Sequence, residues 1–152
     1  MSWAVPSDPG GNPLSHCRWI ELPVIHEPRG NLSFVEGSRH IPFDIRRIYY
    51  LYDVPSGAER AGHAHRGLLQ LFISMSGSFD LVLEDGTEMR TIHLNRSHRG
   101  YLIVPWVWRT VNNFSSNSVC LVLASEVYEE SDYIRDYGEF CREAAERKQL
   151  ST

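Results

Sequence analysis

The chain has 152 residues, 42% hydrophobic and 22% charged, and 15 Lys+Arg against 19 Asp+Glu give a net charge of −4. That length fits one domain with one sizeable core and leaves no room for a dinucleotide-binding fold beside a substrate domain. The acidic balance argues against a general nucleic-acid binder, no apolar run reaches the ~18 residues of a membrane span, and the first residues lack the basic and apolar regions of a secretory signal.

Taken in order, residues 1–16 are rich in Pro, Gly, Ser and Asn and read as a flexible extension, with 17–152 as a single domain. A strand is expected over 20–25, a turn at Pro28-Arg29-Gly30-Asn31, and a second strand over 32–36. Residues 47–54 (RIYYLYDV) suit a pleated surface. Further strands are expected over 68–76, 78–84, 87–94, 100–104, 108–114 and 119–125, with Gly77, Asp85-Gly86 and Asn112-Asn113 as turns. Short strands with turns every ~8–12 residues indicate an all-β sandwich or barrel. Several runs, such as FISM and CLVLA, are apolar on both faces, so these sheets should be covered twice or paired with another subunit. Only Tyr137–Leu150 reads as a helix, with Phe140, Ala144 and Arg147 on one side. Cys17, Cys120 and Cys141 form no CxxC and read as buried or incidental thiols of a reducing cytosol.

One constellation carries chemistry. Gly57 is followed by His63-Ala-His65, then Gln70 and Gly77. In a strand, residues i and i+2 share a face, so both imidazoles project into one interior. The spacing resembles the first motif of the cupin superfamily, small antiparallel jelly-roll barrels with an internal site. Pro105 to Asn113 keeps the spacing of the second cupin motif. Gln70, however, stands where metal-binding cupins carry a ligand Glu, and Arg109 where the last ligand His belongs. A neutral amide and a permanent cation make a poor metal site. Two histidines beside them suit acid–base chemistry on an anionic or carbonyl-bearing ligand. Strand alternation puts Tyr49 on the face opposite Tyr50 and Tyr52, so at least one of the three looks inward.

Beyond the cupin spacing, the words RIYYLYDVPSGAERAGHAHRGLLQLFISMSGSFDLVLEDG, VPWVWR, NFSSNSVCLVLAS and YEESDYIRDYGEF resemble the nucleotide-sugar 3,4-ketoisomerase family, WxcM-like, from about Trp19 to Phe140. The resemblance implies a metal-independent, cofactor-free isomerase that moves the carbonyl of dTDP-4-keto-6-deoxyglucose from C4 to C3. It implies a cytoplasmic, strand-exchanging homodimer that works ahead of a PLP-dependent aminotransferase. It makes His63 the main base, His65 its neighbour and Tyr49 the active-site tyrosine, with Tyr50 or Tyr52 as alternatives by register. Arg109 and Arg29 fall at positions tied to the C4 configuration of the product, and their pairing here leaves that configuration open. Arg60 and Arg66 flank the histidines and suit a diphosphate, and Gln70 completes the expected substrate-binding set. Three other readings remain: a 3,5-epimerase-like enzyme on a related sugar, a metal cupin oxygenase, against which Gln70 and Arg109 argue, and a non-catalytic nucleotide-sugar-binding cupin.

Overall fold

The computed structural model describes residues 12–150. Among them are strands β1 Arg18–Glu21, β2 Val24–Glu27, β3 Gly30–Ser33, β4 Arg47–Leu51, β5 Arg60–His65, β6 Gln70–Ser76, β7 Phe79–Glu84, β8 Met89–Leu94, β9 Arg99–Ile103, β10 Trp108–Asn112, β11 Val119–Ala124 and β12 Tyr133–Ile134, and the helix α1 Tyr137–Leu150. Two five-stranded sheets form, ordered β1-β9-β6-β11-β4 and β12-β5-β10-β7-β8, while β2 and β3 pair only with each other. This is the all-β architecture that the patterning predicts, in the jelly-roll form that the cupin resemblance implies.

The alternation of β7 shows how the core is built. Phe79, Leu81 and Leu83 are fully buried, and the residues between them are half-exposed. Leu102, Val111 and Val122 join them from β9, β10 and β11 in one apolar cluster spanning both sheets. A second, smaller cluster seats α1. Phe140 and Ala144 pack there against Ala64 and Ile134, and Arg147 lies over the Trp106 ring at 4.4 Å.

Four expectations shift in detail. The 20–25 run divides because Pro23 lacks the N–H needed to continue a ladder. β1 therefore pairs with β9, and the chain leaves at Pro23 to form the β2–β3 hairpin. The strand expected over 32–36 begins earlier, at Gly30, and ends at Ser33, because the turn Pro28-Arg29-Gly30 feeds directly into it. The strand expected from 87 begins at Met89, because the Asp85 carboxylate accepts from the N–H groups of Thr87 and Glu88 and holds both in the turn. Residues 1–11 of the expected flexible extension lie outside the described residues. Pro13–His16 forms a short 3-10 helix capped by the Asn12 side chain. Leu14 is buried there, and its carbonyl accepts from Arg90.

One irregularity bears on the site. In β5, Ala61 has φ 69°, and the pairing with β10 shifts register there: His63 opposes Arg109, but Arg60 opposes Val111. This is a β-bulge, which inserts one unpaired residue and bends the strand.

Candidate active site

β5, β10, β6 and β4 converge on the two histidines. His63 and His65 point the same way, and their Nε2 atoms lie 3.0 Å apart. Arg109 sits opposite His63 on β10 and is completely buried. It donates from Nη1 to Gln70 Oε1 and from Nη2 to the Val107 carbonyl, 2.9 Å away. Gln70, also fully buried, donates from Nε2 to the Tyr49 hydroxyl at 3.0 Å. A polar line thus runs from guanidinium to amide to phenol. Because Tyr49 oxygen is the acceptor from Gln70, its own O–H is left for another partner.

The far wall comes from the segment after β11. Tyr133 pairs with His65 across β12–β5, and its ring packs on both imidazoles, with centroids 5.0 Å from His63 and 4.4 Å from His65. Asp132 Oδ2 lies 2.8 Å from His65 Nδ1. Arg135 stacks on Tyr133 at 4.3 Å and pairs with Glu130, Nε to Oε1 2.7 Å. Arg47 lies over both Tyr49 and Tyr128, 5.7 Å from each. A cavity of about 350 Å³ opens among Arg47, Tyr49, Arg60, His63, Tyr133 and Arg135. A second, of about 370 Å³, continues past Arg47 and Tyr133 toward Asp132.

Burial and cations set the electrostatics. Burial first, then Arg109 and Arg135, pulls the His63 pKa down to about 3. His65 is depressed further by burial, Arg109 and His63, so both rings are neutral at ordinary pH. Burial lifts the Tyr49 phenol to about 12, keeping it protonated. Burial also lowers Arg109 to about 10, still cationic near neutrality.

Of the residues the sequence nominates, His63 and His65 form one hydrogen-bonded group and Tyr49, Gln70 and Arg109 another; His63 and Tyr49 face the same cavity, and Arg60 lines it too. Tyr50 and Tyr52 are 59% and 61% exposed, so register places Tyr49 alone inside. Gln70 and Arg109 stand behind Tyr49 rather than in the cavity lining. Arg66 turns away toward α1: it donates to the carbonyls of Ser131 and Tyr133, each at 2.9 Å, and pairs with Glu143. Its guanidinium is thereby occupied in pinning the wall rather than facing a ligand. Arg29 lies at the β2–β3 turn, exposed and paired with Glu27, and does not line its own chain's cavity. Arg47, Asp132, Tyr133 and Arg135 are not among the residues that the sequence nominates, although the last three stand inside the segment YEESDYIRDYGEF.

The fold's metal-binding relatives raise the question of a metal here, and the donor set answers it. Both polar atoms of Gln70 are engaged, and Arg109 places a cation where a ligand would stand. These residues do not fit a metal.

Residues 15–145 match the family FdtA, described as WxcM-like, C-terminal. A TDP-4-oxo-6-deoxy-alpha-D-glucose-3,4-oxoisomerase of Aneurinibacillus thermoaerophilus is 39% identical over 121 residues, 80% of this chain and 87% of that one. QdtA, a sugar 3,4-ketoisomerase from Thermoanaerobacterium thermosaccharolyticum, solved with TDP, superposes with a TM-score of 0.86 at 40% identity, covering 88% of this chain and 98% of its own. The Campylobacter jejuni TDP-quinovose 3,4-ketoisomerase WlaRB gives 0.79 at 42% identity over 83% of this chain and 97% of its own.

Proposed function

The chain belongs to the FdtA family (WxcM-like, C-terminal) and is an isomerase of the sugar 3,4-ketoisomerase kind; from that premise we propose how its own residues carry the reaction. The substrate is a TDP-linked 4-keto-6-deoxyglucose, the compound named with the Aneurinibacillus relative. Arg47 and Arg60, which line the cavity, suit a diphosphate, because guanidinium forks match phosphate oxygens. The sugar then reaches inward, toward His63 and Tyr49.

The observation that carries the mechanism is the placement of a neutral imidazole and a protonated phenol together in one buried, cationic cavity. His63 takes the proton from C3, and the C–H electron pair becomes the C3=C4 bond of an enediol. The carbonyl pair moves onto O4, where Tyr49 supplies a proton; its O–H is available because Gln70 donates to the oxygen. As C3=O forms, the 3-hydroxyl returns a proton to Tyr49, and His63 delivers its proton to C4. Every proton is restored and no electron leaves the sugar. A base with a pKa of about 3 is weak near neutrality. The substrate diphosphate offsets the arginines that depress it, so binding itself raises the basicity of His63.

A second copy of this chain covers the exposed β2–β3 hairpin and the groove of about 590 Å³ beside it. Ile25 and Leu32 on the hairpin are 54% and 55% exposed, and Ile48 and Met75 on the facing sheet 56% and 49%. Exchange of the hairpin between protomers carries Arg29 toward the partner's cavity. The enzyme acts in the cytosol, and its 3-keto product has the carbonyl that a PLP-dependent aminotransferase requires. Among the described residues no helix is long and apolar enough to cross a membrane.

Incubation with TDP-4-keto-6-deoxyglucose in deuterium oxide, followed by NMR of the product, tests the assignment. The expected result is a 3-keto sugar, read together with its C4 configuration; deuterium at C4 measures how far the proton held on His63 exchanges with solvent before it is delivered. Exchange at C3 and C5 with the carbonyl unmoved would instead establish an epimerase, and neither product nor exchange would leave a binding protein.

A further inference from the structure

We propose that Asp132 is a positioning residue of the isomerisation, fixing the tautomer of His65 and receiving, through it, the positive charge that develops at His63. The inference rests on the ketoisomerase reading above. It begins from three contacts in series: His63 Nε2 to His65 Nε2 at 3.0 Å, His65 Nδ1 to Asp132 Oδ2 at 2.8 Å, and the Gly67 N–H to Asp132 Oδ1 at 2.7 Å.

An ionised carboxylate only accepts, so Asp132 requires the proton of neutral His65 to sit on Nδ1. His65 Nε2 then carries a lone pair, and the shared contact places a proton on His63 Nε2. When His63 takes a proton from the sugar, the proton on its Nε2 can pass to His65 Nε2. The imidazolium so formed lies against the Asp132 carboxylate. When the sugar is reprotonated at C4 the same shift runs backward, and no proton is gained or lost.

The surroundings make this carboxylate matter. Arg109 from β10, Arg47 from β4 and Arg135 beyond β12 all face the histidine pair with positive charge, and burial keeps the Tyr49 phenol protonated. Glu130, another carboxylate of the same segment, is taken up by Arg135 and Tyr128. Asp132 is thus the carboxylate in direct contact with the relay. The fold holds it firmly, because Arg66 grips the backbone carbonyls on both sides of it, at Ser131 and Tyr133.

Asp132→Asn tests the idea with little change of shape. The Gly67 N–H keeps the amide oxygen at its present position, so the NH2 group faces His65 Nδ1 as a donor. That inverts the tautomer, putting the His65 proton on Nε2. We expect kcat to fall by about 10²- to 10⁴-fold, the scale of positioned proton transfer, with KM changed by less than about threefold. Imidazole 15N NMR of the ligand-free protein should show His65 protonated at Nδ1 in the wild type and at Nε2 in the variant. A variant kcat within threefold of wild type, or a wild-type His65 protonated at Nε2, overturns the proposal. The wild-type spectrum needs neither substrate nor a folded variant, so it decides the point even where turnover or the substitution fails. Loss of turnover in the wild type itself would count against the ketoisomerase reading and leave the tautomer result standing.

Discussion

Replacing Arg109 and Gln70 together by methionine should make the protein more stable and nearly inactive. Arg109 is completely buried, with its Nε atom unpartnered. Its pKa falls from the ordinary 12.5 to about 10. At ~1.4 kcal/mol per unit, holding that charge costs the fold about 3 kcal/mol. The double substitution removes the buried cation and its amide partner at similar volume, and buried charge groups exchanged this way are often neutral or stabilising. The losses are the bond to the Val107 carbonyl and the bond from Gln70 to the Tyr49 hydroxyl, worth about 1 kcal/mol each. A net gain of about 1 kcal/mol corresponds to a rise in Tm of roughly 2–4 °C for a chain of this size. Differential scanning calorimetry of the ligand-free protein reads it, with turnover measured in parallel and expected to drop at least about 10²-fold as Tyr49 loses its donor. Arg109→Met alone should fall below the double variant by about 1–3 kcal/mol, because the Gln70 oxygen is left buried and unpaired. A Tm of the double variant below that of the wild type would refute the reasoning, for it would mean that the guanidinium stabilises the fold it is buried in.

The acid limb of stability should report the histidines. His63 titrates near 6.5 when unfolded but near 3 when folded, so between those values the unfolded chain binds more protons and stability is lost as pH falls. His63→Gln removes that loss and should move the acid-unfolding midpoint, followed by circular dichroism, to lower pH; an unmoved midpoint contradicts the assigned shift. In the core, a Cβ on Gly100 would lie 2.7 Å from Leu71 Cγ. Gly100→Ala should therefore cost about 1–3 kcal/mol in urea unfolding, and Leu71→Ala should cost less in that background than alone, whereas strict additivity would show that the two do not meet.

What was legible in the sequence follows the range over which each signal acts. His63 and His65 were readable because a pleat repeats every two residues, and the same alternation separated Tyr49 from its two neighbours. Gln70 and Arg109 were visible as departures from a spacing, but the sequence could not say that they would stack behind Tyr49 rather than face a ligand. Arg66 looked equivalent to Arg60 because both flank the histidines; only the arrival of the 131–133 backbone and α1 separates their roles. Asp132 lies 67 residues from His65 in the chain, and no local periodicity connects them. Its signal lay in a word that supported the family resemblance and was not resolved into individual residues. Pro23 likewise was a readable break inside a run otherwise well suited to one strand.

The bulge at Ala61 acts on the pleat as a frameshift acts on a reading frame. Behind it β5 keeps a regular two-residue rhythm, and Arg60, ahead of it, is out of phase with that rhythm. Arg60 and His63, three positions apart, consequently stand opposite Val111 and Arg109, two positions apart. In an unbroken strand an odd spacing sends two side chains to opposite faces, and Arg60 would be directed away from the cavity mouth. The sequence GAERAGHAH therefore encodes a cation beside a base only because one residue in it, Ala61, is left out of the count.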